Sequence, residues 1–144
     1  MKRFDFIVVG AGAAGAAVSW ALVSKGHSVL CIDRGPRMDP ATYPTTGPAW
    51  ERRKRTEFNP VVAERQNRFD YPVDDSDSPI AVCNFNAVGG STILYSAHFP
   101  RFHPVDFELR SREGLGYDWP IRYRDLAPYF AKNERMMGLS GLVG

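Results

Sequence analysis

The sequence predicts an α/β fold that opens on a strand–helix–strand unit. Three observations predict it. A short apolar, β-branched run, Phe4 to Val9, leads into a Gly-x-Gly-x-x-Gly turn at Gly10, Gly12 and Gly15. An apolar pattern of helical period fills Ala13 to Lys25. A second apolar run, Val29 to Ile32, ends at an acid, Asp33. This order is that of a Rossmann-like dinucleotide-binding unit.

Each element has its own justification. The runs Phe4 to Val9 and Val29 to Ile32 are continuous rather than alternating, which predicts strands buried on both faces. Cys31 is therefore expected in the core. Ala14, Ala17, Val18, Ala21 and Leu22 recur at 3, 4, 7 and 8 spacing, which predicts the sheet-facing side of the helix. Gly26 is expected as its C-terminal cap. His27 is expected in an exposed turn. A parallel crossover of this kind is right-handed.

The chain divides into four expected segments: 1–35, the strand–helix–strand unit; 36–80, an excursion; 81–104, a second glycine loop; and 105–144, a helical segment. Pro36, Pro40, Pro44, Pro48, Pro60, Pro72 and Pro79 punctuate the excursion, so few regular elements should persist there. A basic stretch, Glu51 to Arg68, precedes an acidic one with Asp70, Asp74, Asp75 and Asp77. The two are expected to be solvated or to face each other. Ile80 to Cys83 is expected as a strand, with Cys83 packed. Near the C-terminus, Leu126, Tyr129, Phe130, Asn133, Met136 and Met137 predict an amphipathic helix capped by Gly138. Its main part should start with Pro128 at the first position.

Composition narrows the function classes. The 144 residues carry 18 basic and 16 acidic side chains, so no polyanionic partner such as nucleic acid is expected. Two cysteines are too few for a disulfide scaffold, which predicts reduced thiols and a cytoplasmic protein. Phe6 to Ser24 is uncharged and long enough to span a bilayer, but Asp5 and the three spaced glycines oppose a signal or membrane span. No metal cluster is expected.

The first glycine motif carries specific chemistry. Gly10 permits the tight turn, Gly12 lets a pyrophosphate approach the backbone, and Gly15 lets helix and strand pack closely. Ala13 and Ala14 open the helix, whose unpaired N–H groups and positive end favour phosphate. Asp33, 18 residues after Gly15, is placed to accept from a ribose hydroxyl. A 2′-phosphate would meet its charge, which disfavours NADP. The motif alone leaves FAD and NAD open.

A second set of blocks goes further. Val88-Gly89-Gly90-Ser91-Thr92, then His98-Phe99-Pro100-Arg101-Phe102-His103-Pro104, Asp118-Trp119-Pro120-Ile121 and Asp125-Leu126-Ala127-Pro128-Tyr129-Phe130 resemble the glucose–methanol–choline (GMC) oxidoreductase family. The N-terminal motif and Asp33-Arg34-Gly35 fit the same family. The resemblance covers the whole chain, least distinctively between Gly35 and Pro79.

The resemblance implies an FAD-dependent oxidoreductase that acts on alcohols, sugars or polyols. It implies FAD contacts at Gly10, Gly12, Ala13, Ala14, Gly15, Asp33 and Arg34, and at Gly89, Gly90, Ser91 and Thr92, with Asn86 and Val88 as less certain neighbours and Tyr95 either hydrogen-bonding the flavin or packing. Read from the residues alone, a Gly-Gly turn followed by two hydroxyls offers close backbone approach and short donors. Some members link the flavin to a histidine; the matching position here is Leu94, so non-covalent FAD is expected. No catalytic residue is assigned. The family's base lies far towards the C-terminus of a longer chain, and His98 and His103 do not match it. The resemblance therefore implies the leading part of a larger FAD domain, inactive alone. An inactive fragment and an NAD-binding dehydrogenase are the alternatives.

Overall fold

The computed structural model describes residues 2–43, 47, 50–65, 70, 72–95 and 98–141. Pro44, Pro48 and Arg68 lie outside the described residues. The chain forms two compact units, Met1–Ser96 and Ala97–Gly144, with the division inside the segment 81–104.

The first unit opens with β1 (Phe6–Val9), α1 (Ala13–Val23) and β2 (Val29–Ile32). The strands pair in parallel, with Phe6 opposite Val29 and Val9 opposite Ile32. Helix α1 starts where expected and stops two residues early. Gly26, at φ +86°, reverses the chain after it, and His27 lies exposed in the turn with its ring edge-on to Phe6 at 5.1 Å.

Two expectations about burial fail here. The strands are not covered on both faces: Ile7 is 65% exposed and Val9 80% exposed. Val8 points towards α1, so Ile7 and Val9, by the period of two, point the other way. No described element covers that face. Cys31, which pairs with Val8 on the helix side of the sheet, is exposed rather than in the core. The helix face also differs. Ala14, Ala17, Val18 and Ala21 are exposed, whereas Gly15, Ser19 and Leu22 turn inward. That row, spaced i, i+4, i+7, is fixed by Gly15, the one residue small enough to sit on the loop beneath it.

The excursion contains short pieces: a 3₁₀ turn over Pro40–Thr42, α2 (Trp50–Arg53) and α3 (Val62–Arg65). Ile80 to Cys83 is not a strand. It makes a single antiparallel bridge, Cys83 to Val61, and Cys83 is exposed rather than packed. Ile80 and Val82 are exposed too, so nothing there rewards extended pairing.

The core of this unit lies away from the sheet. Phe58, Phe85 and Ala87 are buried, with Met38, Ile93 and Leu94 packed around them. The Phe58 and Phe85 rings stack at 5.6 Å. Burying each such ring contributes roughly 1.5–3 kcal/mol. The second glycine loop therefore stands on the best-packed part of the unit.

The second unit has a 3₁₀ turn over Pro104–Phe107, then α4 (Leu109–Glu113) and α5 (Tyr123–Met137). Phe107 is its buried centre, with Phe102, Trp119 and Tyr123 ring-to-ring around it at 6.2–6.4 Å. Helix α5 begins five residues before Pro128, which lies inside it. Asp125 accepts from the Arg122 amide at 2.8 Å and so fixes the earlier start. The proline removes one internal hydrogen bond without ending the helix. Its inward face is Tyr123, Leu126, Ala127, Phe130, Ala131 and Glu134, while Tyr129, Met136 and Met137 are exposed. Gly138 caps it at φ +67°, as expected.

Candidate functional site

The first glycine loop is built by three different demands. Gly10 has φ +92°, which only glycine adopts at little cost. Gly15 allows close packing: a Cβ there would lie 1.8 Å from the Gly10 carbonyl oxygen and 3.5 Å from Val8. Gly12 meets neither demand. Its φ is −73°, and a Cβ there would meet nothing within 4 Å. It is the N-cap of α1, and the amides of Ala13 and Ala14 behind it have no acceptor within the helix. Gly12 therefore faces open space at the positive end of an eleven-residue helix.

Asp33 holds this loop. Its carboxylate accepts the Ala11 amide at 2.6 Å and the Gly35 amide at 2.7 Å. A carboxylate has about four acceptor positions, so ribose hydroxyls can still be served. The ordering of the loop was not foreseen from the sequence.

The second glycine loop is a 3₁₀ turn, Gly90–Ile93, entered through Gly89 at φ +101°. It packs directly against the first. The Gly89 amide donates to the Ala11 carbonyl at 3.1 Å, and the Val88 amide donates to the Pro36 carbonyl at 3.0 Å. A Cβ on Gly90 would lie 3.9 Å from Gly12 Cα. Gly35 completes the seam, since a Cβ there would lie 2.3 Å from the Ala87 nitrogen.

Between the loops is a cavity of about 530 Å³ lined by Val9, Gly10, Ile32, Asp33, Arg34, Asn84, Phe85, Asn86, Ala87 and Gly90. Gly10, Asp33, Arg34 and Gly90 were anticipated in this wall, and Asn86 more weakly. Val9, Ile32, Asn84, Phe85 and Ala87 were missed as site residues. The one available signal was Gly35, whose lack of a side chain admits the backbone of Asn86 and Ala87.

The remaining candidates fall elsewhere. Ser91 and Thr92 were expected to turn donors outward. Thr92 Oγ1 donates to the Gly89 carbonyl at 2.6 Å, while Ser91 Oγ accepts the Phe85 amide at 3.2 Å, a bond that does not use its own O–H donor. Both stitch the loop, because short side chains after a Gly-Gly turn reach the backbone they follow. Tyr95 is half exposed and lies outside the cavity lining. Leu94 packs on the Phe58–Phe85 core. His98 and His103 are exposed in the second unit. Among the described residues, no three His, Cys, Asp or Glu side chains are grouped to hold a metal ion. No helix there is long and apolar enough to cross a membrane.

Residues 8–73 match the family model of an NAD(P)-binding Rossmann-like domain. The chain is 40% identical to a 2-methyl-1,2-propanediol dehydrogenase of Mycolicibacterium austroafricanum, over 97% of this chain and 25% of that protein. Against the fructose dehydrogenase large subunit of Gluconobacter japonicus, identity is 29%, over 97% of this chain and 28% of that protein. Its relatives are GMC-type oxidoreductases. Another GMC-type relative, the gluconate 2-dehydrogenase flavoprotein of Pantoea cypripedii, is 25% identical over 98% of this chain and 26% of that protein. The chain spans about a quarter of the length of these GMC-type relatives.

Proposed function

We propose that this chain is the N-terminal dinucleotide-binding part of an FAD-dependent oxidoreductase acting on CH–OH groups of alcohols, sugars or polyols. The observation that carries the reading is the seam between the two glycine loops, where Gly89 meets Ala11 beside the open N-terminus of α1. A ligand with a pyrophosphate fits there: Gly12 leaves room for it, and the amides of Ala13 and Ala14 supply donors. Asp33 orders the loop and keeps acceptor capacity for a ribose. Gly90, Asn86 and Arg34 line the adjoining cavity.

When bound, FAD would supply the redox chemistry by taking a hydride equivalent from the alcohol carbon. The chain's own part is to bind and orient the cofactor. No side chain here is assigned as the base. Leu94 presents no nucleophile, which supports non-covalent binding. The free thiols Cys31 and Cys83 suit a reducing cytoplasm.

The matched family model favours a second reading, a nicotinamide dinucleotide in the same loop. Incubation of the purified protein with FAD or NAD, followed by gel filtration, separates the two. Co-elution of FAD at one per chain is the expected result. Retention of NAD with no retention of FAD would overturn it.

A further inference from the structure

We propose that Arg65 is a positioning residue for the second glycine loop. The inference rests on reading that loop as one wall of the cofactor site. Arg65 ends α3, deep in the excursion, yet its side chain is only 1% exposed. Its Nε and Nη2 donate to both oxygens of Asp70 at 2.9 Å each. Its Nη1 donates to the carbonyls of Asn59 at 2.5 Å and Asn84 at 2.7 Å. The guanidinium carbon lies 4.9 Å from the centre of the Phe85 ring.

The last two contacts matter most, because Asn84 and Phe85 line the cavity. Phe85 passes the restraint on through its amide to Ser91 Oγ. The Asn84 amide is held in turn by the Pro60 carbonyl at 2.9 Å. Arg65 thus joins the Asn84–Pro60 bond and the Phe58–Phe85 stack in tying the excursion to the cofactor wall.

Energy alone does not explain a buried ion pair, since desolvation offsets much of its attraction. Directional geometry does. Arginine's planar fork satisfies a carboxylate with one edge, two carbonyls with another nitrogen, and stacks on a ring. Lysine offers three donors from one point and no plane. The requirement is therefore for arginine rather than for positive charge.

Hydrogen exchange tests this without cofactor. In the Arg65→Lys protein, amides in 84–92 should exchange about tenfold faster, the loss expected for a hydrogen bond from a charged donor. Those in β1 and β2 should be unchanged. Asp70→Asn, which keeps the arginine but weakens its anchor, should show a smaller effect in the same segment, and serves if the lysine variant does not fold. Unchanged exchange in 84–92, or acceleration spread evenly over the chain, would overturn the proposal. FAD affinity of the same variants is the second readout and should fall in the same order. Absence of FAD binding by the unsubstituted protein would refute the cofactor reading and leave the exchange result to judge Arg65.

Discussion

The amide of Gly89 donates to the carbonyl of Ala11 at 3.1 Å, so two glycine turns far apart in sequence share one seam. The first belongs to a strand–helix–strand unit. The second stands on the Phe58–Phe85 core. Their meeting brings the two motifs together in one candidate site.

The glycines of the first loop are predicted to separate folding from binding. Gly15→Ala drives a Cβ into the Gly10 carbonyl and should cost about 3 kcal/mol or more of stability. Gly12→Ala meets open space and should change stability by no more than about 1 kcal/mol, an N-cap effect. It should nevertheless weaken dinucleotide binding by at least about tenfold, equal to about 1.4 kcal/mol. Thermal unfolding with and without ligand checks both.

Gly89→Ala is predicted to fail through its backbone. At φ +101°, an alanine adds strain of about 1–3 kcal/mol. The strain falls on the residue whose amide joins the loops. Binding and melting temperature should therefore fall together, in contrast to Gly12→Ala.

Asp33→Ala removes the acceptor for the amides of Ala11 and Gly35. Each lost bond should cost about 1 kcal/mol. Asp33→Asn keeps one acceptor oxygen and should lose less. Comparison of the two single variants by denaturant unfolding, with and without ligand, distinguishes loop ordering from ligand contact.

Acidification should weaken the second unit. Glu134 is held below its ordinary value of 4.5 by its hydrogen bonds from Arg101, and Asp118 below 3.8 by its bonds from Ser111. A depressed carboxylate binds fewer protons folded than unfolded, so its stabilisation is present above the unfolded value and lost as pH falls through the folded one. Stability should therefore drop below about pH 4.5. Arg101→Met should shrink that acid dependence. Trp119, the single tryptophan of residues 97–144, reports it by fluorescence once Trp20 and Trp50 are replaced by phenylalanine.

Denaturation is predicted to release the flavin intact. Leu94 occupies the position considered for a covalent link, and its side chain packs on the core. Filtration of acid-denatured holoprotein should leave the yellow colour in the filtrate. Colour retained on the polypeptide would contradict non-covalent binding.

Local chemistry made the opening unit legible. Four-residue β-branched runs and a glycine-spaced turn specify parallel strands and helix with little outside help. The seam was less legible because no periodicity links Ala11 to Gly89. Gly35 stands in the sequence only as part of the Asp33-Arg34-Gly35 block, although its missing side chain is what admits Ala87. The inward face of α1 was misread because alanines matched the helical period, while steric contact at Gly15 set the actual rotation. Pro128 was misplaced because the Asp125 cap starts the helix earlier and outweighs one lost bond. Arg65 gave no sequence signal beyond a basic stretch. Only its opposition to Asp70, across the expected charge boundary, was foreseeable.

Hydrogen exchange of the purified protein, with and without FAD, tests the shared site most directly. The account predicts that residues 10–15 and 86–92 gain protection together, over the same range of FAD concentration. Protection confined to 10–15, with 86–92 unchanged at saturation, would contradict it.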